Sequence, residues 1–75
     1  MTYAGGIDSM VLHVLCDEPG PWVQSELERD FGEPLEVADA IGRLIRRGLV
    51  LRMDDGLLVT TASGRYAHVM EQEGA

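Results

Sequence analysis

Arg43-Leu44-Ile45-Arg46-Arg47-Gly48-Leu49-Val50-Leu51-Arg52 is the stretch in which a helix ends, the chain reverses and a strand begins. Leu44 and Ile45 close a helix onto a core, Gly48 permits the positive φ that turns the chain back, and Leu49 starts a strand packing on that same core. Such a junction fixes the angle between a helix and the strand after it. What the fold is then depends on the residues before Arg43 and those after Arg52.

Upstream, Leu35, Ala38, Ile41, Leu44 and Ile45 predict a helix over 34–47 that turns these residues inward. Glu36, Asp39, Ala40, Arg43, Arg46 and Arg47 are left on its other side. Pro34 suits the first helical position and Gly32 the left-handed end of a preceding helix, so Gly32-Glu33-Pro34 reads as a tight turn between two helices. That is helix-turn-helix spacing. Ser25-Glu26-Leu27-Glu28 has the spacing of a capping box, which predicts a short helix over about 25–31 with Leu27 and Phe31 buried. Earlier still, Ile7, Met10, Val11, Val14 and Leu15 mark an amphipathic helix from Ile7 to near Asp17, stopped by Pro19-Gly20-Pro21. Trp22-Val23 is too short for an independent strand but is placed to add a bridge, with Trp22 closing the gap between the first two helices.

Downstream, Leu49–Met53 and Leu57–Thr60 are apolar and β-prone, and Asp54-Asp55-Gly56 between them signals a hairpin. Thr61 can cap a fourth helix running to about Glu71, with Tyr66, Val69 and Met70 as its apolar face. Gly64 weakens that helix by its conformational freedom. Residues 1–6 and 72–75 are expected to be flexible termini around one domain of residues 7–71.

The order helix, short strand, helix, tight turn, helix, hairpin, helix resembles the winged helix-turn-helix family, in particular small bacterial regulators of the multiple-antibiotic-resistance and phenolic-acid repressor types. The resemblance covers about Ile7 to Glu71. It is carried by the 43–52 junction, by Asp54-Asp55-Gly56 at the wing tip and by Thr61-Ala62-Ser63-Gly64-Arg65, similar to the family's start of the helix after the wing. It implies an α+β fold with a three-helix core, a two- to three-stranded wing hairpin and a C-terminal helix. It further implies a sequence-specific regulator that sets helix 34–47 in the major groove of double-stranded DNA, with hairpin 49–60 as its wing.

Charge bears on that expectation. Six Arg, no Lys and thirteen acids give −7 on 75 residues, which repels phosphate at long range. The cations are not spread evenly: Ala40 to Met53 holds four Arg and no acid, and the rest of the chain holds two Arg with all thirteen acids. On this basis Arg43 is expected to read guanine and Arg46, Arg47 and Arg52 to hold phosphates, with Glu36, Asp39 and Ala40 completing the DNA-facing surface. A carboxylate there can accept from the cytosine amino group. Cations at a helix C-terminus are also favoured by the macrodipole without any ligand. The acids Glu33, Glu36, Asp39, Asp54 and Asp55 point to an alternative, an acidic protein-interaction module with a basic partner.

Other chemistry is sparse. One cysteine excludes an internal disulfide and suits a reducing cytoplasmic setting. No apolar run is long enough for a membrane span, and Met1-Thr2-Tyr3-Ala4-Gly5-Gly6 has no basic leader region. Arg without Lys is typical of G+C-rich bacterial coding sequence. His13 and Cys16, three apart on one helix, are more simply packing residues than a nucleophile pair or metal ligands, and no phosphate loop, nucleophile elbow or metalloprotease motif is present. No enzyme activity, metal or cofactor is expected. Apolar surplus on the terminal helices, at Met10 and Met70, suggests a homodimer, which would set two reading helices about one DNA turn apart.

Overall fold

The computed structural model describes residues 6–18 and 20–73, with side chains through Met70. Its described residues form a small α+β domain of helices α1 (Ile7–Asp17), α2 (Gln24–Phe31), α3 (Pro34–Arg46) and α4 (Ala62–Glu73) and strands β1 (Val50–Arg52) and β2 (Leu58–Thr60). The core is contributed by every element except α4: Val11, Leu12 and Leu15 of α1, Leu27 of α2, Val37, Ala40, Ile41 and Leu44 of α3, Leu49 before β1, Val50 of β1 and Leu58 of β2. Ala67 of α4 packs against it from outside, as do Trp22 and Phe31. Residues 1–5 and 74–75, expected as flexible termini, lie outside the described residues, and α4 runs two residues beyond the expected Glu71.

The turns follow the chemistry of their residues. Gly32 ends α2 at φ 74°, its N–H donating to the Glu28 carbonyl at 3.0 Å, and Pro34 opens α3. At the end of α3 the Gly48 N–H donates to the Ile45 carbonyl and the Leu49 N–H to the Leu44 carbonyl, both at 3.0 Å. With Gly48 at φ 78°, this is a Schellman motif, and its accompanying apolar contact is between Leu44 and Leu49, both buried. The 43–52 stretch therefore turns as its residues imply.

β1 and β2 pair antiparallel with Leu51 opposite Val59. Between them Asp54, Asp55 and Gly56 form a three-residue loop: the Gly56 N–H donates to the Met53 carbonyl at 2.8 Å, Gly56 sits at φ 87°, and the Asp55 side chain accepts from the Leu57 N–H. Trp22 exchanges two backbone hydrogen bonds with Leu58, at 2.9 and 2.8 Å, the bridge its position allows. Its indole N–H donates to the Glu18 carbonyl at 2.9 Å.

Three expectations are corrected. The Ser25–Glu28 capping box does not form, because α2 begins one residue earlier. The Val23 carbonyl accepts the Glu26 N–H, and the Glu28 carboxylate accepts from the Gln24 side-chain amide at 2.9 Å. On α3 the inward stripe is Val37, Ala40, Ile41 and Leu44, so Ala40 is fully buried and Leu35 is 81% exposed. A methyl side chain does not declare a side, and the longer apolar residues fit two adjacent stripes equally well. On α1 the buried stripe includes Leu12, which the expected stripe Ile7, Met10, Val11, Val14 and Leu15 left out, and Met10 is exposed. Gly64, expected to weaken α4 by its conformational freedom, is also fixed by space. A Cβ on it would overlap the Leu49 carbonyl oxygen, which also accepts the Thr61 N–H at 3.1 Å.

Thr61 itself caps α4 as expected. Its hydroxyl oxygen accepts the Gly64 N–H at 3.0 Å, while its O–H donates to the Gly48 carbonyl at 2.7 Å. One side chain thus ties the end of α3 to the start of α4.

Candidate nucleic-acid interface

The four Arg of residues 40–53 end in three different situations. Arg43 is bonded edge-on to the Asp8 carboxylate of α1, Nε to Oδ2 at 2.8 Å and Nη2 to Oδ1 at 2.6 Å. This is the ion pair of the described residues. Arg52 projects from β1, where it is paired with the buried Leu58, toward the first turn of α2, and its Nη2 donates to the neutral Gln24 oxygen at 3.0 Å. Arg46 and Arg47 are exposed in the last turn and C-cap of α3, and neither forms an ion pair or hydrogen bond through its side chain among the described residues. Arg43 alone of the four is paired with an acid among the described residues, and Arg47 meets Asp8 only through its field.

Asp8 is the residue that sequence reasoning missed. It lies 35 positions from Arg43, and nothing local joins the two. A signal was nonetheless present: Asp8, Val11, Leu12 and Leu15 fall on one helical stripe, so an acid occupies an inward position. Only 12% of the Asp8 side chain is exposed, against 44% for Arg43. The Arg43 hydrogen bonds hold the Asp8 carboxyl below its ordinary range, against the opposing effect of burial and with help from the charges of Arg43 and Arg47.

Of the expected DNA-facing set, Glu36, Asp39, Arg43, Arg46, Arg47 and Arg52 are at the surface and Ala40 is in the core. Acids occupy the first half of α3 and cations the second, an order that matches the helix dipole. Glu33 and Glu36 crowd each other: the hydrogen bond that a protonated Glu36 can donate to the Glu33 carboxylate, and then the Glu33 charge, raise the Glu36 pKa, with smaller contributions from desolvation and Asp39. Asp54 and Asp55 are exposed at the hairpin tip.

Along the seam between α1 and α4, the His13 and His68 rings meet at 5.0 Å between centroids, tilted by 54°. Cys16 Sγ lies 4.0 Å from the Gly64 carbonyl oxygen, so His13 and Cys16 both face α4. Among the described residues no three His, Cys, Asp or Glu side chains gather as metal ligands. An open depression of about 400 Å³ beside Trp22 is lined by Glu18, Glu26, Arg29 and Asp30, with no Ser, Cys or His in its walls. Among the described residues no helix is long and apolar enough to cross a membrane. Tyr66, Val69 and Met70 form an exposed i, i+3, i+4 stripe on α4, and Met10 of α1 is also exposed.

Set against protein-family models, curated proteins and solved structures, the chain matches none of them.

Proposed function

We propose that the chain is a winged-helix DNA-binding regulator that lays α3 in the major groove, with the β1–β2 hairpin as its wing. The observation that carries this is the exposed, unpartnered pair Arg46 and Arg47 at the end of a helix that the Schellman turn joins to a hairpin. Arg52 adds a third cation on that hairpin. The acids at the start of α3 keep non-specific affinity low, so base contacts and a second copy must supply the remainder. Tyr66, Val69 and Met70, with Met10, provide an apolar surface for such a homodimer.

The test is selection of duplexes from a random-sequence pool, followed by anisotropy titration at 50 and 200 mM salt. Enrichment of a defined sequence, with micromolar or tighter binding that weakens at the higher salt, is expected. No enrichment and no binding at 50 mM salt refutes the reading.

A second reading is supported by the crowding of Glu33 and Glu36 beside the exposed Leu35. In it the acidic start of α3 and the Asp54-Asp55 tip dock a basic protein. Binding of an Arg-rich peptide, lost in Glu36→Gln/Asp39→Asn, together with failure of the DNA selection, would favour it.

A further inference from the structure

Arg43 presents a contradiction for a DNA-binding surface. It is the arginine nearest the middle of α3, yet its Nε and Nη2 donors are already committed to a carboxylate from another helix. Those two parallel donors form the edge a guanidinium uses to grip a phosphate or the O6 and N7 of guanine. The Arg43 edge is therefore occupied by an internal mimic of the anion it would recognise.

The two partners differ in freedom. Asp8 stands in the first turn of α1 with its side chain nearly enclosed, one position from the buried Ser9 and three from Val11. Arg43 is almost half exposed at the end of a long, rotatable stem. Separation of the pair would therefore occur by a swing of Arg43, without any change in the backbone. Because solvent reaches the guanidinium, the ion pair is screened and of modest strength, so a well-placed external anion can displace the carboxylate. The charges around the pair are Asp39 and Arg47 of α3, and the field of Arg47 also falls on Asp8.

Resting on the DNA-binding reading above, we propose that Asp8 is an autoinhibitory latch that withholds Arg43 from non-specific phosphates and releases it at a matching site. The latch lowers affinity for arbitrary sequence while leaving the cognate contact available. It thus raises the ratio of specific to non-specific binding, the quantity that governs site selection on a genome. The acidic background of the chain and the latch act in the same direction.

Binding of a mixed-sequence 20-base-pair duplex by wild type, Asp8→Asn, the charge-matched Asp17→Asn, Arg43→Ala and the Asp8→Asn/Arg43→Ala double variant tests this. Asp8→Asn is expected to bind about tenfold tighter at 50 mM salt, with a salt slope steeper by about one phosphate contact. Asp17→Asn should gain less, the double variant should lose the gain, and Arg43→Ala, which leaves the Asp8 carboxylate without its cation, should bind no tighter than wild type. Equal gains in Asp8→Asn and Asp17→Asn, weaker binding by Asp8→Asn, or a gain that persists without Arg43 overturns the latch. If wild type binds and Asp8→Asn binds no better, the latch alone fails; if neither binds, the DNA-binding reading fails with it. Should Asp8→Asn not fold, the wild-type Arg43 Nε–H resonance serves instead. It should move on saturation with a selected duplex and stay in place with the mixed one, and an unmoved signal in both overturns the proposal.

Discussion

Gly42 and Gly64 are both helical glycines, and replacing each by alanine is expected to change stability in opposite directions. In an open helix the exchange gains up to about 1 kcal/mol, because alanine loses less backbone freedom on folding. At Gly42 the new Cβ would find only the Arg46 guanidinium, at an ordinary contact distance of 3.6 Å. Gly42→Ala should therefore stabilise by up to about 1 kcal/mol and raise Tm by about 4–8 °C. At Gly64 the new Cβ would overlap the Leu49 carbonyl oxygen. That oxygen cannot swing aside as a side chain can, since it follows the Schellman turn and is held by the Thr61 N–H. The start of α4 must retreat from the Leu49 backbone, an overpacking cost of about 1–3 kcal/mol or more that exceeds the propensity gain. A net loss of about 1–2 kcal/mol should lower Tm by roughly 4–16 °C. Urea and thermal unfolding of the two variants beside wild type measure both effects. A Gly64→Ala protein as stable as wild type or more so would refute the close approach of α4 to Leu49.

Three further outcomes are expected. Leu27 is fully buried and is the one fully enclosed side chain of α2, so Leu27→Ala should cost about 2–5 kcal/mol, a large part of the roughly 4–11 kcal/mol available to a domain of this length. Urea denaturation should then show α2 and the rest of the domain unfolding at much lower midpoint, and a midpoint near wild type would contradict the burial. With pH, two carboxylates act oppositely. The lowered pKa of Asp8 gives stability that is present above its ordinary value of 3.8 and lost as pH falls through the folded value. The raised pKa of Glu36 means that acidification toward its ordinary 4.5 relieves repulsion with Glu33. Tm measured in low salt should rise slightly from pH 7 to about 5 and fall below about 3.8, and the fall should be smaller in Asp8→Asn; a Tm still rising below that point would refute the Asp8 assignment. In sedimentation velocity, Tyr66→Glu should shift a dimer to monomer, whereas an unchanged dimer would remove the α4 stripe from the interface.

How much was legible in the sequence follows from the range of each interaction. Gly32, Pro34, Gly48 and Gly56 act through their own backbone and immediate neighbours, so the turns, the three-residue hairpin loop and the ends of α2 and α3 could be read residue by residue. Thr61 as a cap is equally local. Burial of one α3 stripe over its neighbour is decided by which helices pack on it, which explains Ala40 and Leu35. The Asp8–Arg43 pair joins two helices across 35 residues, and the purpose of Gly64 exists only once the Leu49 backbone has been laid against α4. The candidate site was therefore legible as a set of charges and illegible as a set of partners.

The Thr61 hydroxyl, holding the Gly48 carbonyl on one side and the Gly64 amide on the other, has a consequence for how the domain opens. The first turn of α4 cannot detach without also freeing the carbonyl that ends α3, so the helix and the hairpin base share one opening event. Amide exchange at Gly64 and at Thr61 should then proceed at a common rate and respond together to denaturant, as a single cooperative unit. Removing one hydroxyl, in Thr61→Val, would divide that unit in two, and the exchange rates on its two sides would separate.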